Sequence, residues 1–231
     1  MIIVKKYDIF LFDADGTLFD YDLAEEYALS TMFKRCGFKY SDDIRAAYRR
    51  INTRAWESYE RREITKDELQ ALRFSRLFDA IGVQYDVMEF NAMYLAELGK
   101  GTFLTEGARE ICMAVTALGK RIFIVTNGIL ATQEARINHS LIKDYISGYF
   151  VSEHVGFQKP DAEYFGYVFS HIPAADKNKI IIIGDSLSAD IAGGNNAGID
   201  SCWYNPNGAE NHTEVVPTYE INDLSQIRGF I

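Results

Sequence analysis

Ile9-Phe10-Leu11-Phe12-Asp13-Ala14-Asp15-Gly16-Thr17 is an apolar run that ends directly in two acids and a glycine. The four large apolar residues read as a buried strand of a parallel sheet. Strand side chains repeat every second position, so Asp13 and Asp15 leave such a strand on the same side. Gly16 permits a sharp backbone departure that a Cβ would resist. The two carboxylates then sit at the carboxyl end of a parallel strand, where open α/β sheets bind their ligands. Such a pair needs a cation or a proton to compensate it. Asp and Gly are also ordinary turn residues, so this stretch alone leaves a plain turn open.

Two further runs repeat the pattern. Ile122-Phe123-Ile124-Val125 ends in Thr126-Asn127-Gly128, and Ile180-Ile181-Ile182-Ile183 ends in Gly184-Asp185-Ser186-Leu187-Ser188-Ala189-Asp190. Between them, Gln158-Lys159-Pro160-Asp161 sets a lysine just ahead of a helix start. The spacing predicts strands over 7–13, 121–126, 149–152, 179–185 and 200–204, with a weaker one at 218–221. Helices over 106–118, 130–140, 161–170 and 188–197 separate them. Strands alternating with helices argue for a parallel, doubly wound sheet. Residues 18–100 break the alternation with helices alone: one over 22–36, one after Ser41, one opened by the capping-box pattern Thr65-x-x-Glu68, and one over 86–98. The expected fold class is α/β, a Rossmann-like doubly wound parallel sheet (1–17 and 101–231) carrying an inserted all-helical cap domain (18–100).

The four polar segments, in this order, resemble the motifs of the haloacid dehalogenase superfamily of phosphohydrolases over about residues 8–205. In that family a helical insertion at this place is a C1-type cap. The resemblance implies that Asp13 is a nucleophile forming an aspartyl-phosphate. Asp15 protonates the leaving oxygen and then serves as base toward water. It implies Mg2+ held by the Asp13 side chain, the Asp15 backbone carbonyl and Asp185, with Asp190 behind them or orienting Lys159. Three acids at strand ends form a hard oxygen cluster suited to that ion. Thr126, Asn127, Gly128 and Lys159 are the expected phosphate-binding groups, donating hydrogen bonds or offsetting developing charge. Each residue also has a plainer reading: Asp185 as a helix N-cap, Asp190 as a capping residue, Thr126 as a strand-end hydroxyl, Lys159 as a solvated loop lysine.

An acid at position 15 separates reaction classes. Halide leaves without a proton, whereas an alkoxide needs one, so Asp15 points to phosphate-ester hydrolysis, with a phosphomutase still open. Ile51–Glu60, Ser152–Gly156 and Cys202–Asn205 resemble bacterial nucleotide 5′-phosphatases of this superfamily. The implied substrate is a nucleoside 5′-monophosphate, with the Trp56 or Tyr59 ring stacking on a base and Asn52 reading its edge. At helical spacing Trp56 is equally a cap-core residue. Alternatives are a phosphatase of phosphoglycolate- or sugar-phosphate-like metabolites, or a binding protein that keeps the fold without turnover.

The bulk composition narrows the partners. The chain has 231 residues, 48% hydrophobic and 25% charged, with a formal charge of −9 and no basic block. That argues against nucleic-acid polymers, whose binding rests on phosphate neutralisation. Three widely spaced cysteines, Cys36, Cys112 and Cys202, read as buried free thiols of a reducing compartment. The short apolar stretches suggest neither a signal peptide nor a membrane span, so the expected location is cytoplasmic. Gly193-Gly194-Asn195-Asn196-Ala197-Gly198 lacks the spacing of a dinucleotide fingerprint and reads as small residues for close helix–sheet packing.

Overall fold

The computed structural model describes residues 6–173 and 176–231; residues 1–5, the start of the core segment expected over 1–17, lie outside the described residues. In chain order the elements are β1 (Ile9–Phe12), α1 (Tyr21–Arg35), α2 (Asp42–Glu60), α3 (Lys66–Ile81), α4 (Val87–Leu98) and α5 (Ala108–Ala117). There follow β2 (Arg121–Thr126), α6 (Leu130–His139), β3 (Gly148–Val151), α7 (Ser152–Val155) and α8 (Ala162–Ser170). Last come β4 (Ile180–Gly184), α9 (Ala192–Ala197), β5 (Asp200–Tyr204) and β6 (Tyr219–Ile221). The chain divides into two compact units, Met1–Tyr21 with Thr102–Ile231, and Asp22–Gly101.

In the first unit the strands form one parallel sheet in the order β3-β2-β1-β4-β5-β6. The chain steps outward from β1 through β2 to β3, then returns to β4 on the other side of β1. Ligands of doubly wound sheets bind at such a reversal, outside the carboxyl strand ends. The register levels those ends: Phe12 lies opposite Ile124 on β2 and Ile183 on β4. Parity along the strands then decides which face each side chain serves. Phe10, Phe12, Ile122, Ile124, Ile181 and Ile183 pack with Ile111, Cys112 and Val115 of α5 and Ile137 of α6. Ile9, Leu11, Phe123, Val125, Ile180 and Ile182 pack with Tyr164, Phe165 and Val168 of α8. Both faces are covered, which is why these strands are continuously apolar rather than alternating.

The glycine pair ahead of Gly198 does pack closely. A Cβ at Gly194 would lie 2.7 Å from Ile182 Cγ2, and one at Gly193 would lie 2.6 Å from the Phe165 ring. The helix expected over 188–197 is divided: Leu187–Ile191 form a wide π-type turn and the α-helix begins at Ala192. The turn widens where Asp190 folds back to accept from the Ser186 amide at 3.1 Å. A short 3-10 helix at Leu224–Gly229, not foreseen from the sequence, packs Leu224 and Ile227 into the same core as α5. Cys112 and Cys202 are buried, which pushes both thiols up to about 12. Cys36 is half-buried, short of the full burial expected of it. No described helix is long and apolar enough to cross a membrane.

The second unit is helical and built on aromatic packing. Phe74 meets Phe90 at 4.8 Å and Tyr94 at 5.0 Å between ring centroids, and Phe78 meets Phe90 at 5.0 Å, all edge-on, the arrangement the ring quadrupole favours. Arg73 is buried beside the Phe74 and Tyr94 rings and donates to Asn91 at 2.6 Å. Tyr48, Asn52 and Ala55 are the buried residues of α2, spaced as one face of a helix requires. The capping box read from Thr65 and Glu68 is present at the start of α3: the Thr65 hydroxyl accepts from the Glu68 amide, and the Glu68 carboxylate accepts from the Thr65 amide.

Replacing that cap should cost about 1 kcal/mol. In urea unfolding, Thr65→Ala is expected to lower the midpoint without changing the slope. An unchanged midpoint would mean that packing alone holds the first turn of α3.

Candidate active site

The ends of β1, β2 and β4 bring Asp13, Thr126 and Asp185 to one end of the sheet. The strand itself stops at Phe12, so strand alternation does not carry through to Asp15. A tight turn replaces it, with Leu18 and Phe19 amides donating to Ala14 O and the Gly16 amide donating to Phe19 O. Asp13 and Asp15 consequently face different partners. Gly16 adopts φ +79°, and a Cβ there would lie 2.5 Å from Asp185 Oδ2. Both the turn and the nearness of Asp185 therefore demand glycine.

Asp13 continues the parity of Ile9 and Leu11 and meets Lys159. The buried Lys159 ammonium donates to Asp13 Oδ1 at 2.6 Å, to Asp190 Oδ1 at 2.6 Å and to Val125 O at 2.8 Å. Three acceptors match the three protons of an ammonium. Burial works against the charge, but the Asp13 and Asp190 carboxylates outweigh it and hold the lysine above its ordinary value. Asn127 clamps the backbone beneath it: its amide donates to Lys159 O and its oxygen accepts from Lys159 N, both at 2.9 Å. Lys159 is thus a buried, oriented group and not a solvated loop lysine.

Asp190 is also fully engaged, one oxygen on Lys159 and the other on the Ser186 amide. A Cβ at Gly184 would lie 2.2 Å from its carboxyl carbon, so a bare backbone is what admits it. The capping reading of Asp185 falls away, because Ser186 performs that task by accepting from Ala189 N at 3.1 Å. Asp185 is open to solvent on one side, with its carbonyl held by Trp203 Nε1 at 2.9 Å.

Carboxylate oxygens of Asp13, Asp185 and Asp190 lie within 4.8 Å of one another. Burial raises Asp13 well above the usual carboxylate range; Lys159 pulls the other way, while Asp190 and Asp185 add to the rise. Burial and then Asp190 raise Asp185 to about 7, against the pull of Lys159. One ammonium among three carboxylates leaves a negative excess, and an all-oxygen donor set suits a hard divalent cation. The residues present therefore fit Mg2+.

Asp15 lies on the other side of this cluster, with α6. Its Oδ1 accepts from Arg136 and its Oδ2 from Gln133 Nε2. Gln133 also reaches Thr126 Oγ1 at 3.4 Å, and the Gly128 amide donates to the same oxygen at 3.0 Å. The Gly128 amide, expected to face a phosphate, is therefore engaged within its own turn. The Thr126 hydroxyl accepts these bonds and still has its proton to give.

Sequence reasoning overlooked Gln133, Arg136, Ser186 and the support from Trp203. For the first two a signal existed: with Ile137 they occupy one face of α6, and polar side chains on a buried stripe call for buried partners. Gln133 and Arg136 are indeed buried. In the helical unit, Asn52 is buried with its amide donating to Glu25 at 3.1 Å. Trp56 is half-buried, edge-on to Tyr59 with ring centroids 5.7 Å apart.

Comparison with known proteins places the chain in a family. The family profile of haloacid dehalogenase-like hydrolases matches residues 7–198. The pyrimidine 5′-nucleotidase PynA of Streptococcus pneumoniae is 39% identical over 93% of this chain and 91% of its own. The pyrimidine 5′-nucleotidase YjjG of Escherichia coli is 29% identical over 98% of both chains. The magnesium-bound crystal structure of the HAD-hydrolase YfnB from Bacillus subtilis superposes with a TM-score of 0.91 at 39% identity, covering 96% of this chain and 97% of that one. The parallel sheet reversed at β1, the lysine-bridged carboxylates at its end and these likenesses lead to one assignment: the chain belongs to the haloacid dehalogenase-like hydrolases.

Proposed function

We propose that the protein is a Mg2+-dependent phosphatase that hydrolyses nucleoside 5′-monophosphates, pyrimidine nucleotides foremost, through an aspartyl-phosphate. The observation that carries this reading is the division of labour between two acids two residues apart. Asp13 is paired with a buried ammonium, and Asp15 is held separately by Arg136 and Gln133. A nucleophile and a proton carrier are the two groups that ester hydrolysis by this route needs. The names of PynA and YjjG support the nucleotide substrate.

In the first step Asp13 Oδ attacks phosphorus while the ester P–O bond breaks. The electron pair stays on the leaving oxygen, which takes the proton of Asp15. In the second, water attacks the phosphorus of the aspartyl-phosphate and gives its proton to Asp15. The Asp13 O–P bond breaks, restoring the carboxylate and releasing phosphate. Lys159 holds Asp13 in place and offsets charge that develops on the phosphoryl oxygens, and the Thr126 hydroxyl donates to one of them. Mg2+, held by the Asp13 and Asp185 side chains and the Asp15 carbonyl with Asp190 behind them, would neutralise phosphoryl charge. The Trp56 ring on α2 is the candidate for stacking on the base, with Asn52 beside it on the same helix.

Phosphate release with Mg2+ from nucleoside monophosphates, sugar phosphates, phosphoglycolate and an aryl phosphate should favour the pyrimidine nucleotides. EDTA should abolish it, and Asp13→Asn should lower kcat by about a thousandfold or more. Preference for sugar phosphates or phosphoglycolate would overturn the substrate and keep the chemistry. Turnover that survives Asp13→Asn would overturn the mechanism.

The raised carboxylates also set a pH dependence. Asp185 stands at about 7 in the folded protein against an ordinary 3.8, so the fold binds its proton more tightly than the unfolded chain does. That contribution is complete below about pH 4 and is lost as pH rises through 7. Metal-free protein should therefore show a falling Tm from about pH 4 to pH 8, Asp185→Asn should flatten the fall, and Mg2+ should counter it. Identical slopes in wild type and Asp185→Asn would remove Asp185 from the cluster.

Trp56→Ala is expected to raise KM for a pyrimidine nucleotide about tenfold, the worth of one stacked base, with much less effect on an aryl phosphate. An equal change for both would make Trp56 a packing residue only.

A further inference from the structure

We infer that Gln133 and Arg136 are positioning residues for the proton carrier: they fix the Asp15 carboxylate and tie its orientation to Thr126, the group that binds the phosphoryl oxygen. The inference rests on the phosphatase reading above. Each oxygen of Asp15 has its own donor on α6, Arg136 on Oδ1 and Gln133 on Oδ2. A carboxylate held at both oxygens cannot turn about its last bond, and proton transfer requires the acid within hydrogen-bond reach of the leaving oxygen.

The holders are themselves held. Arg136 is wholly buried, and its guanidinium lies 4.7 Å over the ring of Phe19, the residue that closes the turn containing Asp15 through the Gly16 amide. The guanidinium thus grips the turn through its ring and the acid through its charge. Gln133 bridges the two halves of the chemistry, 2.5 Å from Asp15 Oδ2 and 3.4 Å from Thr126 Oγ1. The backbone is shaped to admit it: a Cβ on Gly128 would lie 2.2 Å from Gln133 Nε2 and 2.8 Å from its Cγ. The amino end of α6 is fixed as well, the Leu130 amide donating to Glu153 at 3.0 Å. A buried arginine needs a paired carboxylate wherever it sits. Here the pair falls on the half-buried acid next to the nucleophile, and a second donor joins it.

Leaving-group dependence separates positioning from mere packing. For a series of phosphate monoesters from nitrophenyl to alkyl, kcat/KM reports phosphoryl transfer to Asp13, and good leaving groups need little help from an acid. Gln133→Met and Arg136→Met should steepen that dependence as Asp15→Asn does, lowering alkyl esters about tenfold or more relative to nitrophenyl phosphate. Arg136→Lys, which keeps the charge and one donor, should recover part of the loss. Gln133→Met carries the test if Arg136→Met does not fold, as judged by circular dichroism and Tm. A uniform drop across the series, or wild-type slopes in both variants, would overturn the inference while leaving the phosphatase reading intact. If wild type hydrolyses no ester, or if Asp13→Asn has no effect, the phosphatase reading fails and takes this inference with it.

Discussion

The ammonium of Lys159, buried between Asp13 and Asp190 and anchored on Val125 O, is the interaction around which the carboxyl end of the sheet is arranged. Carboxylates removed from water are costly unless paired and fully hydrogen-bonded. The lysine satisfies all three of its protons there, and Asn127 holds its backbone from below. Asp190, seated against Gly184, completes the pair, so Asp13 is fixed from one side by a buried ion pair. What remains is the negative excess of Asp13 and Asp185 toward the open side, which suits the divalent ion and phosphoryl group proposed above.

The turn that follows β1 divides the site into two halves. Odd positions on β1 lead to Asp13 and the lysine cluster, on the face shared with α8, whereas α6 on the other face supplies the partners of Asp15. The acids are two residues apart in sequence and belong to separate hydrogen-bond networks. In the reaction proposed above, this separation lets one carboxylate act as nucleophile while its neighbour carries protons. Two like charges sharing one environment would instead compete for a single proton. The turn over residues 14–19 makes the division possible by ending the strand at Phe12.

Glycine does related work at several of these junctions by leaving out a Cβ. Gly16 clears Asp185, Gly184 clears Asp190 and Gly128 clears Gln133. Each is a place where a polar side chain must approach a backbone more closely than any side chain would allow. The helical unit shows another solution to dense packing: edge-on aromatic contacts around Phe74 and Phe90, with Arg73 carried on ring faces.

Read alone, the sequence determined the core strands to within a residue or two, because continuous apolar runs stopped by Asp, Thr or Gly have a visible terminus. It determined the parallel sheet with a helical insertion, and the local caps such as Thr65 with Glu68, because these depend on neighbours a few residues away. The placing of Asp13, Thr126, Lys159 and Asp185 at one end of the sheet followed from the same topology. The tertiary structure alone decided that Asp15 turns toward α6 and that Ser186, not Asp185, caps the turn after β4. It also decided that Arg136 and Gln133 reach Asp15 across 121 and 118 residues of chain. The stripe of Gln133, Arg136 and Ile137 on α6 marks those side chains as buried but not their partner, which is set by which helix covers which face of the sheet and by how far a buried charge must reach.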